Sequence, residues 1–285
     1  MGALTTLNIQ LLGAAHPLAA EWLRWTAWHP ELRTVRLVSA AHAGASAEEL
    51  HPGLFGFRGL GISTEAGAAD VTVICPEWTG DLPPEGGQVL DLRPRAAGHP
   101  TLPELHPPAA LASLASVPAR VVAAALALEP LLRGRVVSPR ESIGLTLDAD
   151  DLEALRPLLT GHFRLETLPG DGGTVQARIP LFEGYSEHDA LAVYRDEYRS
   201  QPWIRIRRAA EQALGVTGSP TCELHLRILE REDPEIPIPL LGVTAGLDPF
   251  PAQAARAVAA LNLSRGWPAL LGLIPAETPA AEISS

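Results

Sequence analysis

Apolar and polar positions recur along this chain with two different periods. Leu7-Asn8-Ile9-Gln10-Leu11-Leu12 is an apolar run of strand length, and Gly13-Ala14-Ala15 is the turn that leaves it. His16-Pro17 then opens a helix, because proline at a first helical position has a suitable φ and lacks a donor that would be unpaired there. Leu18, Trp22, Trp25 and Trp28 return every three or four residues and give this helix one apolar stripe. The three tryptophans are read as core or interface packing.

Further strands are expected over 34–40, 71–75 and 89–92, separated by crossovers, which predicts a parallel sheet. The stretch 42–57 reads as a loop with a short helix at 46–50, and 93–108, rich in Pro and His, as an irregular connection. A strong helix over 117–132 carries Val121, Ala124, Ala125, Leu128 and Leu131 on one face. The texture changes after Arg133-Gly134, and 136–147 looks like strand and loop. Strands are then expected at 163–168, 174–181, 203–207, 222–229 and 239–245. Helices are expected at 150–159, 187–199 and 251–263, with Asp148 and Ser186 as N-caps of the first two. The fold class is therefore α/β, a Rossmann-like parallel sheet followed by an α+β second domain, with no internal repeat.

Composition narrows the function classes. With 46% hydrophobic residues the 285-residue chain can bury a full core. A net charge of −11 argues against nucleic acid or an anionic membrane as partner, since both require clustered positive charge. All 22 basic residues are Arg, which excludes a lysine Schiff base and a P-loop lysine and otherwise looks like a GC-rich coding bias. Cys75 and Cys222 are the only cysteines, too few for a disulfide framework, so a reducing cytoplasm is expected. No secretory leader pattern and no run of about 18 apolar residues is evident. Residues 279–285 read as a frayed tail.

Several short segments occur in an order that resembles a known family. They are His29-Pro30-Glu31, the run Ala43-Gly44-Ala45-Ser46-Ala47-Glu48-Glu49-Leu50-His51-Pro52-Gly53-Leu54, Ala192-Val193-Tyr194-Arg195-Asp196-Glu197-Tyr198 with Pro202-Trp203-Ile204-Arg205-Ile206, Val216-Thr217-Gly218-Ser219-Pro220-Thr221-Cys222, Gly246-Leu247-Asp248 and Ala257-Val258-Ala259-Ala260-Leu261-Asn262-Leu263. In this order they resemble N-acetyl-γ-glutamyl-phosphate reductase and its relatives in lysine biosynthesis, within the semialdehyde dehydrogenase superfamily. The resemblance implies a Rossmann-like domain over 1–117 that binds NADP, an α+β catalytic and oligomerisation domain over 118–247, and a C-terminal helix in 248–285 that returns to the first domain. It also implies a Cys thiolate that attacks an acyl phosphate, a thioester reduced by hydride, and a His acid/base.

The matching positions depart from that chemistry. The family's Gly-x-x-Gly-x-x-Gly turn falls on Gly13, His16 and Ala19, and Pro17 removes a donor from the helix end where phosphate would sit. His16 is read as a cap on that helix. The end of the second strand offers Ser39 and His42 where basic residues would meet a 2′-phosphate. Gly13, Ala14, His16, Ala19, Ser39, Cys75 and Pro76 are thus the vestigial cofactor-binding set. The nucleophile position is Ala119, whose methyl group cannot form a thioester. Ser116 lies near it with nothing marking it as activated. The acid/base segment is Gly144-Leu145-Thr146-Leu147-Asp148-Ala149-Asp150-Asp151, without a histidine; its acids read as a helix N-terminus rather than metal ligands. Cys75, at the ligand-facing end of a strand, reads as a substitute nucleophile or as a small buried thiol; Cys222 reads as core. The remaining histidines lack ligand-type spacing, so no metal is expected. In the last helix the family's cofactor-facing Lys and Gly are absent from the run Asp248–Ala257.

These losses together predict a pseudoenzyme that acts through protein–protein contact, as a homo-oligomer or a hetero-oligomer with an active paralogue, with no cofactor unless the NADP site is retained. Two alternatives stand beside it: an active NADP-dependent acyl-phosphate reductase with relocated groups, and a small-molecule sensor.

Overall fold

The computed structural model describes residues 6–54, 57, 59–81, 87–94, 99–100, 102–105, 113–115, 117–170, 174–208, 215–231 and 238–273. The expected frayed tail lies outside them. The chain divides into two compact units, one of residues 1–116 with 253–285 and one of 117–252.

The first unit holds β1 (Leu7–Leu12), α1 (Pro17–Thr26), β2 (Leu32–Val38), α2 (Ala47–Leu50), β3 (Ile62–Ser63), β4 (Val71–Ile74), β5 (Gln88–Asp91), β6 (His99–Pro100) and β7 (Ser113–Ala115). Its strands form one sheet in the order β3-β2-β1-β4-β5-β7-β6. Each neighbouring pair is parallel. The order reverses between β1 and β4, the point where an open parallel sheet makes a crevice at its carboxyl edge. Leu12, Val38 and Ile74, the last residues of β1, β2 and β4, are buried together there with Trp78 packed against them.

In α1 the stripe is narrower than expected. Leu18, Ala19, Trp22 and Leu23 are buried and Trp25 partly so, but the helix ends at Thr26 and Trp28 is 80% exposed. The reason is local: once the helical period stops, Trp28 no longer falls on the buried side. The segment 93–108, expected to be irregular, contributes the two-residue β6.

The second unit holds α3 (Ala119–Arg133), β8 (Ile143–Leu145), α4 (Ala149–Leu155), β9 (Leu165–Thr167), β10 (Val175–Pro180), α5 (Glu187–Tyr198), β11 (Ile204–Arg208), β12 (Cys222–Leu229) and β13 (Leu240–Gly246). The strands form a mixed sheet in the order β11-β12-β13-β10-β8-β9. α3 lies over β10 and β13, and α5 over β11 and β12. In β10 the alternation is clean: Val175, Ala177 and Ile179 are buried, Gln176 and Arg178 exposed. α6 (Pro249–Ser264) begins in the second unit and runs into the first.

Residues 121–132 of α3 are buried on every side, polar Glu129 included, as a helix apolar all round must be. Pro130 inside it has no N–H, so the Leu126 carbonyl four residues earlier loses its helical donor. The Tyr198 hydroxyl donates to that carbonyl at 2.8 Å, and the Tyr194 hydroxyl donates to the Ala127 carbonyl beside it. The aromatic stripe of α5 therefore repairs a defect in α3, and the Ser186 capping box sets where α5 begins. Ser186 and Asp148 both act as the N-caps the sequence predicts.

Candidate functional site

In the first unit the candidate site is the turn between β1 and α1. Gly13 has φ +77°, a left-handed conformation, and a Cβ there would lie 2.9 Å from the Trp78 nitrogen and 3.1 Å from the Cys75 carbonyl oxygen. Gly13→Ala is therefore expected to cost about 1–3 kcal/mol through backbone strain and overlap with backbone atoms that cannot swing aside. A denaturation midpoint equal to that of the unaltered chain would contradict this.

Several donors of the turn already have acceptors within the protein. The Gly13 and Ala14 N–H groups both donate to the Val38 carbonyl at 3.0 Å, and the His16 N–H donates to the Gly13 carbonyl. His16 is the N-cap of α1, and its Nδ1 accepts from the Leu18 N–H at 3.1 Å. Ala19 N–H donates to the His16 carbonyl at 2.8 Å, and Pro17 has no N–H. Burial lowers the His16 pKa, Glu77 opposes the shift and His51 adds to it. A neutral ring that accepts at Nδ1 is consistent with this cap. The His51 ring reaches the same turn through Nε2, 2.7 Å from the Ala14 carbonyl. Pyrophosphate binding at such a helix end relies on free N–H groups and the positive pole of the helix. Here Nδ1 of His16 stands where an anion would be received, so the turn as built does not fit a dinucleotide phosphate.

The other members of the expected cofactor set lie around this turn. Ser39 is buried, and its hydroxyl is 3.2 Å from Nδ1 of His42, so the hydroxyl and imidazole at the end of β2 face each other. Cys75 follows β4 and is fully buried; burial drives its thiol far above the ordinary range, with Glu77 and Asp91 adding to the effect. Such a thiol stays protonated and has no approach for a substrate. Pro76 turns the chain away from the sheet. At the end of β5 the Asp91 carboxylate accepts from the Arg93 side chain, at 3.0 Å from Nε and 2.7 Å from Nη2, and from the Arg93 N–H at 3.0 Å. A bidentate pair of this kind leaves Asp91 little capacity for a ligand.

In the second unit Ala119 is the first residue of α3, preceded by Pro118, which gives no side-chain cap. The next residue, Arg120, donates from Nη2 to the Thr146 carbonyl, and its Nη1 lies 3.8 Å from Asp151 Oδ2. The two segments to which the resemblance assigns the nucleophile and the acid/base are thus neighbours in space, joined by a guanidinium. Asp148 accepts from the Asp151 N–H at 2.8 Å and caps α4, the structural role expected for these acids. Cys222 is buried at the start of β12. Ser116 lies outside the described residues. Arg120 and His51 carry this geometry and were not singled out by the sequence. Nothing in the spacing signals that either side chain reaches a carbonyl so far along the chain.

Among the described residues no group of His, Cys, Asp or Glu is placed to hold a metal ion, and no helix is long and apolar enough to cross a membrane.

No protein-family model matches the sequence, and no curated protein matches it either. Solved structures do. Aspartate semialdehyde dehydrogenase of Candida albicans with NADP is 11% identical, with a TM-score of 0.64 over 92% of this chain and 99% of that one. Aspartate semialdehyde dehydrogenase II of Vibrio cholerae complexed with ASA is 13% identical, with a TM-score of 0.61 over 91% of this chain and 98% of that one. A probable aspartate-semialdehyde dehydrogenase of Pseudomonas aeruginosa gives the same identity and TM-score over 91% and 98% of the two chains. These neighbours are aspartate-semialdehyde dehydrogenases, so the likeness bears on the fold and does not extend to the narrower expectation of an N-acetyl-γ-glutamyl-phosphate reductase. At this identity they establish architecture alone: the chain has the fold of the semialdehyde dehydrogenases, a Rossmann-like parallel sheet with a second, mixed sheet.

Proposed function

We propose that this protein is a non-catalytic relative of the semialdehyde dehydrogenases that works through contact with another protein, either a second copy of itself or an active paralogue. The carrying observation is at the head of α3. Acyl transfer through a thioester needs a sulfur there, and the chain has Ala119, followed by an arginine folded onto Thr146 and Asp151. The cap that His16 places on α1 supports the same reading for NADP, which one structural neighbour binds. Trp28, 80% exposed beyond the end of α1, is the kind of aromatic that anchors interfaces.

The reading against an active reductase with relocated groups rests on Cys75. Its thiol is buried and held protonated, which disfavours a relocated nucleophile.

Calorimetry with NADPH is expected to give no saturable heat at ligand concentrations up to about 1 mM, and no acyl phosphate is reduced. Saturable NADPH binding that is lost in His16→Trp, together with turnover, overturns the non-catalytic reading. The contact reading is tested by mass in solution, for the chain alone and mixed with the active reductase of its host. A monomer in both cases refutes it.

A further inference from the structure

A histidine unconnected with the reductase chemistry lies under a strap near the carboxyl end. His29 follows α1 and is 6% exposed. Its Nδ1 accepts from the Glu31 N–H at 3.1 Å, so Nδ1 carries no proton and Nε2 does. Nε2 donates to Oδ1 of Asn262, on α6, at 3.0 Å. The Asn262 amide then donates from Nδ2 to two strap carbonyls, Ala269 at 3.0 Å and Leu271 at 2.9 Å. The strap runs close over the imidazole. A Cβ at Gly272, whose φ is +71°, would lie 2.3 Å from Cδ2 of His29, and the ring of Trp267 is 6.0 Å away, tilted by 40°. Leu273, just beyond, is buried.

We propose that His29 is a proton-operated latch, in which protonation at Nδ1 releases the strap of residues 267–273 from Asn262. The geometry gives the mechanism. A proton on Nδ1 points a donor at the Glu31 N–H, itself a donor, and the contact turns repulsive. The ring must then rotate or shift. Gly272 leaves no free space on its strap side, so the movement displaces the backbone of the strap and draws the Ala269 and Leu271 carbonyls away from Nδ2 of Asn262. Among the described residues, these polar and aromatic groups face the ring beside Gly272. From its own loop come the Glu31 N–H and the Glu31 carboxylate; from α6, Asn262; from the strap, the Leu271 carbonyl and Trp267.

Burial holds the imidazole below its ordinary value, outweighing Asn262, Glu31 and the Leu271 carbonyl, which all favour the charged ring. The sign follows from that direction. The closed state prefers the neutral ring, so its advantage is complete above the free-histidine value of 6.5 and is lost as pH falls below it.

Amide exchange in the strap, corrected for the intrinsic rate, is the readout. Between about pH 7.5 and 5.5 strap protection in the intact chain should fall, by up to about tenfold per pH unit within the titration range. In His29→Asn the amide oxygen replaces Nδ1 as acceptor but does not titrate, so protection should be the same at both pH values. Asn262→Ala should leave the strap open at both. Equal protection in the unaltered chain at the two pH values, or the same pH dependence in His29→Asn, overturns the latch. If His29→Asn fails to fold, the unaltered chain still decides it. The midpoint of ring protonation, followed by imidazole NMR, must coincide with the midpoint of strap opening, and different midpoints refute the coupling.

Discussion

Arg256→Met is expected to destabilise the fold by about 3–5 kcal/mol, and adding Glu104→Leu is expected to recover most of that loss. The two side chains are 5% and 2% exposed, and Arg256 Nε lies 2.7 Å from Glu104 Oε1. Both belong to the first unit, where they join α6 to the segment after β6. Removing the guanidinium alone leaves a buried carboxylate without its cation, whereas removing both charges replaces the pair with hydrocarbon. Denaturant midpoints for the two single variants and the double variant form a double-mutant cycle. Additive losses in the double variant would show that the ion pair is not the unit of stabilisation. α6 has further ties to the sheet: Gln253 donates to the Leu92 carbonyl at 3.0 Å, and Gln88 donates to Ser264 Oγ at 3.0 Å. A weakened α6 should therefore loosen the unit as a whole rather than fray by itself.

Glu129→Ala is the second large effect, about 2–4 kcal/mol of destabilisation. The Glu129 carboxylate is fully buried on α3 and accepts from the Thr160 N–H at 2.8 Å, the Thr160 hydroxyl at 2.5 Å and Arg133 Nε at 2.8 Å. Arg133 also bonds Glu197 of α5 at 2.8 Å. One carboxylate thus holds together α3, the turn after α4 and, through Arg133, α5. The expected loss is smaller than for Arg256 because the Arg133 side chain is 34% exposed and can turn to Glu197 and water. Glu129→Gln keeps the shape and an acceptor and should lose less than half as much; equal losses for Ala and Gln would point to the charge alone.

Much of this architecture could be read in one dimension because its elements are regular and locally capped. β12 matches the expected strand 222–229, and the Ser186 and Asp148 caps start α5 and α4 where predicted. Caps act within four residues, and strand alternation within two, so a linear reading captures both. The aromatic stripe fared less well at Trp28, since α1 ends at Thr26 and the helical period that the stripe relies on stops there. The sequence resemblance pointed to N-acetyl-γ-glutamyl-phosphate reductases, while the structures found similar are aspartate-semialdehyde dehydrogenases. Order and length of elements carry the fold, and the fold is what this likeness shows.

The composition of the candidate sites was also visible in the chain: Ala119 at the position where the resemblance implies a sulfur, and His16 and Pro17 in the turn where it implies a phosphate. Spacing along the polypeptide determines which chemical groups exist at each element end. What only the folded protein decided is who occupies those groups. Arg120 meets Thr146 and Asp151, His51 reaches the Ala14 carbonyl, and Asn262 joins His29 to the strap. Apart from the short reach of Asn262 to the strap, each is a contact across tens to hundreds of residues, made by flexible side chains whose direction depends on how neighbouring elements pack. No periodicity encodes that, because burial and hydrogen-bond geometry arise only when the sheet and helices close around them.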